Sequence, residues 1–164
     1  MQIEPFDNSS GYRCWLSERE QEQLTEFYEE EPQRQLAVEL MLDGLRSEEV
    51  PRVSKQDFRE LESEQEAWKL RVHEGKTGFR ECPVARDTKQ RAVMLANARG
   101  LRQGESLVDV DERTVQRWVT WAVEDLAEET GNVDWKHVSA HDLRRTWATS
   151  TYYNLSASDV AKSV

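Results

Sequence analysis

Between Val115 and Leu126 the apolar residues Val115, Trp118, Val119, Ala122, Val123 and Leu126 recur at i, i+3, i+4, i+7, i+8 and i+11. That spacing lines one face of an α-helix and fits no strand, so a helix over Glu112 to Glu129 must bury this stripe against other elements. Gly131 supplies its stop. Other segments read the same way. Ser17-Glu18-Arg19-Glu20 has the spacing of a capping box, and Leu24 and Phe27 follow at helical intervals until Pro32 ends the helix. Gln33 to Leu42 resumes with Leu36, Ala37, Leu40 and Met41, and Gly44 closes it. Ser47 caps a short turn over Glu48 to Val50, which Pro51 cuts off. Thr88 to Arg99 is helical up to Gly100, Ala140 to about Tyr153 is another helix, and Ser156 begins one more.

Only one region changes period. Trp68, Leu70 and Val72 alternate with Lys69, Arg71 and His73, Gly75-Lys76-Thr77-Gly78 reads as a turn, and Phe79 to Val84 returns, with Pro83 marking an edge. A third strand is expected around Val53 to Leu61. The fold class is therefore mainly α with a small antiparallel β-sheet (α+β), and 164 residues suit a single core.

Charge restricts what such a domain can do. Lys and Arg number 22 against 32 Asp and Glu, a net charge of −10, so the basic footprint of an ordinary nucleic-acid binder is missing. The cations are 16 Arg and 6 Lys, the anions 22 Glu and 10 Asp, a balance that fits a protein from a halophile and an ordinary acidic domain equally. At molar salt the Debye length falls to about 3 Å, and repulsion between surface carboxylates is screened. Cys14 and Cys82 are far apart and form no CxxC, and His73, His137 and His141 have no ligand spacing, so neither a metal nor a cofactor is expected. Met1 to Ser10 has neither a basic nor an apolar signal region and reads as a frayed lead-in. No stretch is apolar enough for a membrane span, and two unpatterned cysteines fit a reducing cytoplasm.

Three separated segments carry chemistry: Gly44-Leu45-Arg46-Ser47-Glu48-Glu49-Val50, Gly75-Lys76-Thr77-Gly78, and His141-Asp142-Leu143-Arg144-Arg145-Thr146-Trp147-Ala148-Thr149. Phosphodiester transesterification builds negative charge on nonbridging oxygens, which two guanidinium forks can hold through charge-assisted bonds. Arg46 and Arg144 suit that role. Ser139, placed as N-cap with Asp142 three residues on, sets His141 in a first helical turn, and Arg144 shares its face at i+3. Lys76 could protonate a leaving oxygen, and Glu49, three residues after Arg46, could orient its guanidinium. Arg80 is a further cation that could join the cluster. Arg145 is turned about 100° from Arg144 around the helix and reads as structural, Trp147 as core.

In their order and on these elements, the three segments resemble the catalytic domain of the tyrosine recombinases, or phage integrases. The resemblance covers nearly the whole chain from Ser17 onward. It implies a catalytic set of Arg46, Lys76, His141 and Arg144, and site-specific DNA recombination, by strand cleavage and rejoining through a 3′-phosphotyrosine. It also implies double-stranded DNA as partner and a tetramer on DNA in the complete protein. In that family the tyrosine follows the His-x-x-Arg segment by a few tens of residues, after a further His or Trp. Tyr152 and Tyr153 lie 8 and 9 residues past Arg144, about 12 to 14 Å along the helix, and read as packing residues. The expectation is thus a lead-in over residues 1–13 and a recombinase catalytic domain over residues 14–164 that lacks its nucleophile segment. Two alternatives fit the same residues. One is a noncatalytic DNA-binding regulator or degenerate integrase, the other a type IB topoisomerase-like enzyme, separable by a paired-site recombination assay.

Overall fold

The computed structural model describes residues 1–60, 67–74 and 78–150. Two antiparallel strands open it, β1 (Gln2–Pro5) and β2 (Tyr12–Trp15), followed by helices α1 (Glu18–Phe27) and α2 (Pro32–Leu42). Short 3-10 turns over Val50–Arg52 and Lys55–Asp57 lead into β3 (Phe58–Glu60), β4 (Trp68–Glu74) and β5 (Gly78–Val84). Then come α3 (Arg86–Arg99), α4 (Glu112–Thr130), a 3-10 turn over Val133–His137, and α5, helical over residues 140–150.

The centre is α2. Seven successive residues, Gln35 to Met41, are buried, as befits a helix covered on all sides. It packs against α1, α3 and α4. The α4 stripe of Val115, Trp118, Val119, Ala122, Val123 and Leu126 is buried as its period requires. Tyr28 donates from its hydroxyl to the Trp118 carbonyl at 2.6 Å, which ties the end of α1 to α4. The sheet has the order β3-β4-β5, antiparallel, with Phe58 opposite Leu70 and Trp68 opposite Val84. Leu70, Val72, Cys82 and Val84 face the core, and Pro83 lies on the edge strand β5, where a missing N–H costs no ladder bond.

Several boundaries differ from expectation for local reasons. The first helix ends at Phe27 because Tyr28 turns into the core, and Pro32 begins α2 at a position whose N–H needs no partner. Pro51 sits inside its 3-10 turn for the same reason and does not cut it off. The third helix begins at Arg86. The helix end near Tyr153 and the helix from Ser156 lie outside the described residues.

The larger correction concerns the start. Residues read as a frayed lead-in form the β1–β2 hairpin, with Ile3 opposite Cys14. Its second strand is fastened to α5. The Cys14 N–H donates to the Asp142 carboxylate at 3.0 Å, the Leu16 N–H to the Thr146 hydroxyl at 3.0 Å, and the Trp15 indole to the Thr149 hydroxyl at 3.0 Å. Asp142 is 1% exposed, so these bonds are made out of water.

Candidate functional site

A cleft of about 530 Å³ opens where the loop after α2, the start of α5 and the polar face of α4 meet. Arg46, Ser47 and Glu48 come from the loop, Ser139, His141 and Arg144 from the α5 end, and Glu112, Gln116 and Thr120 from α4. Thus the structure brings Arg46, His141 and Arg144 together. Lys76 lies outside the described residues.

Each side chain has a local reason for its place. Gly44 takes φ +108°, which turns the chain off α2 and aims its carbonyl at α5. The Trp147 ring covers the spot a side chain would need, so a Cβ there would meet its Cδ2 at 2.7 Å. The carbonyl accepts the Arg144 Nε–H at 3.0 Å and leaves the outer edge of that guanidinium to the cleft. The buried Asp142 accepts from the Ser139 N–H at 2.8 Å and hydroxyl at 3.1 Å and pairs with Arg145. The start of α5 is fixed by the carboxylate, and Arg145 takes the structural part its position suggests.

Glu49 reaches Arg46 in two ways. It is 2% exposed and accepts the Arg46 backbone N–H at 2.7 Å, while the Arg46 guanidinium stays 3.8 Å away and 44% exposed. Both Glu49 oxygens are taken by Arg80, which donates from Nη1 to Oε2 and from Nη2 to Oε1 at 2.9 Å. Glu49 therefore fixes Arg46 through the main chain and pairs more loosely with its guanidinium, the part expected of it. Arg80, expected among the free cations, is engaged. Sequence spacing could not reveal this, because a strand arginine looks alike whether paired or free.

The electrostatics favour an anion with local opposition. Burial lowers the Arg144 pKa, and the nearby Arg46 and Arg80 charges add to the effect. Burial likewise depresses the His141 pKa below 6.5, helped by Arg145, Arg144 and Arg46 against the pull of Asp142. Glu48 and Glu112 also line the cleft, and Glu112 is held by the Ser47 hydroxyl at 3.1 Å and Gln116 at 3.1 Å. Two arginines and an imidazole on one wall can hold an oxyanion through charge-assisted bonds.

Among the described residues no group of three or more His, Cys, Asp or Glu is placed to hold a metal ion, and no helix is long and apolar enough to cross a membrane. Burial pushes the Cys14 thiol up to about 12, with Asp142 adding to the rise, and burial pushes Cys82 up to about 11. Neither is a nucleophile near pH 7.

Solved structures share this fold. The chain matches XerA recombinase with TM-score 0.66 and 24% identity, over 86% of this chain and 51% of that one. It matches XerH site-specific recombinase, solved bound to its difH substrate in a pre-cleavage complex, with TM-score 0.62 and 18% identity, over 85% and 43%. No protein-family model and no curated protein matches the sequence. The chain spans about half the length of these solved relatives, and its α+β fold is shared with these recombinases.

Proposed function

We propose that this chain is the phosphate-holding part of a site-specific DNA recombinase of the tyrosine type. The observation that carries the reading is the convergence of Arg46, His141 and Arg144 on one cleft from segments about a hundred residues apart. In the proposed reaction a tyrosine oxygen attacks the scissile phosphorus and the bond to the 5′ oxygen breaks, leaving a 3′-phosphotyrosine. Arg46 and Arg144 hold the nonbridging oxygens as charge builds on them, His141 adds a hydrogen bond, and Lys76 gives its proton to the departing 5′ oxygen. Reversal with a different 5′ hydroxyl rejoins the strands without an external energy source.

The nucleophile belongs outside the described residues. Tyr28 is buried and bonded to Trp118, and Tyr12 lies tilted against the His137 ring with centroids 4.3 Å apart, and neither lines the cleft. Double-stranded DNA is the proposed substrate, in the cytoplasm, with the complete protein assembling as a tetramer on it. The net charge of −10 opposes DNA, so binding by this chain is weak, and in a halophile's salt that opposition is screened. A noncatalytic regulator gains some support from Glu48 and Glu112 in the cleft wall.

Fluorescence anisotropy with labelled duplex DNA tests the reading. The expected result is weak binding that persists as salt is raised to about 1 M, where the Debye length is about 3 Å, and that is lost in Arg46→Ala and Arg144→Ala. Strong low-salt binding indifferent to both substitutions would sink it. A covalent protein–DNA adduct formed on nicked duplex by the chain extended past Val164 separates the enzyme from the regulator.

A further inference from the structure

Arg80 is saturated. Its Nη1 donates to Glu49 Oε2 and to Glu74 Oε1 at 2.7 Å, its Nη2 to Glu49 Oε1 at 2.9 Å and to the Gly44 carbonyl at 3.4 Å. The four N–H bonds of the two terminal nitrogens are matched by four acceptor contacts, so those two nitrogens cannot also hold a phosphate without breaking that set. Yet two of its three partners are attached to the cleft. Glu49 holds the Arg46 main chain, the Gly44 carbonyl holds Arg144, and Glu74 pairs with Gly78 at the base of the β4–β5 hairpin.

We infer that Arg80 is a positioning residue of the cleft: by occupying both Glu49 oxygens and bracing the Gly44 carbonyl, it keeps Arg46 and Arg144 turned toward an anion. The inference rests on the proposed phosphate-holding reading and deepens it. The alternative fate of Glu49 makes the case. A carboxylate 2% exposed cannot stay unpaired, and the Arg46 guanidinium is already 3.8 Å from its Oε2. Without Arg80, that guanidinium would close on Glu49 as its replacement partner. The Gly44 carbonyl would lose one of its two guanidinium donors, and Arg144 would lose the fixed anchor for its Nε. A cation that touches no phosphate thus decides how many cations can.

Two readouts on the 164-residue chain test this. The guanidinium Nε–H resonances of Arg46 and Arg144, assigned by their disappearance in Arg46→Lys and Arg144→Lys, report position directly. Anisotropy with duplex DNA reports the consequence. In Arg80→Gln both resonances should shift and DNA affinity should fall about tenfold, or about 1.4 kcal/mol. Adding Glu49→Gln, which removes the competing carboxylate, should recover most of that loss. A purely structural ion pair predicts the reverse, since the double variant would bind no better than Arg80→Gln. Unmoved resonances in Arg80→Gln, or no recovery in the double variant, would overturn the inference.

Should Arg80→Gln fail to fold, Arg80→Lys serves. One ammonium can neutralise Glu49 but cannot also brace Gly44, so the Arg144 resonance should move while that of Arg46 stays; both unmoved overturns the inference. If the wild-type chain does not bind DNA at all, the functional reading falls, and the resonances still decide whether Arg80 positions the two arginines.

Discussion

The Nε–H of Arg144 donates to the carbonyl of Gly44 at 3.0 Å, joining residues 100 positions apart in the chain. The bond exists because Gly44 holds φ +108° and because Trp147, one helical turn beyond Arg144, covers the same glycine. Gly44→Ala should therefore be costly twice, through backbone strain and through a Cβ 2.7 Å from Trp147 Cδ2. Urea denaturation should show a loss of about 3 kcal/mol. In a Trp147→Ala background the cost should shrink by about 1 to 2 kcal/mol, since the clash is gone and only strain remains.

Asp142→Ala removes the acceptor for the Cys14 and Ser139 N–H groups and the partner of Arg145. Stranding these donors in a buried place should destabilise the chain by about 3 kcal/mol. Hydrogen exchange should locate the damage, with protection lost at Cys14 and Leu16 before the α2–α4 core is affected.

His141 supplies a pH dependence. Its pKa lies below 6.5 because partial burial and the neighbouring arginines disfavour the charged ring, and a bound phosphate would favour that ring and raise it. Binding then takes up a proton, so DNA affinity should increase as pH falls through the ordinary histidine range, by at most about tenfold per unit. His141→Gln should flatten that slope. An NMR titration of the ring with and without duplex DNA measures the shift itself.

Glu39 supplies an opposite effect on stability. Its Oε1 pairs with Arg91, its Oε2 has no partner among the described residues, and burial raises its pKa from 4.5 to about 7. A carboxyl that holds its proton in the folded chain and releases it in the unfolded one loses stability as pH climbs from about 4.5 to about 7. Glu39→Gln should be more stable than wild type near pH 8 by about 2 kcal/mol, with the gap closing toward pH 4. Thermal melts across pH check both.

What could be read from sequence was what local chemistry decides. The Ser17–Glu20 capping box forms with both bonds, at 3.2 and 2.9 Å, and Gly100 and Gly131 cap their helices at positive φ. The α4 stripe and the β4–β5 register need only periodicity. The hairpin at residues 2–15 escaped because two four-residue strands show no period long enough to notice and gain their order from α5. Arg46, His141 and Arg144 were named from the family resemblance of their segments, and the fold brings the three to one cleft. The engagement of Arg80 was not legible, since Gly44, Glu49 and Glu74 each lie on a different stretch of chain.

The fastening of Cys14 to Asp142 also sets a timetable for synthesis. The two residues are separated by 128 positions, so at about 5 to 20 residues per second a ribosome leaves the β2 donors waiting roughly 6 to 26 s for their acceptor. Until then an exposed strand edge must survive without its partner. When α5 arrives it closes that edge and delivers His141 and Arg144 to Arg46 in the same event, so a nascent chain completes its cleft only once its own beginning has been made safe.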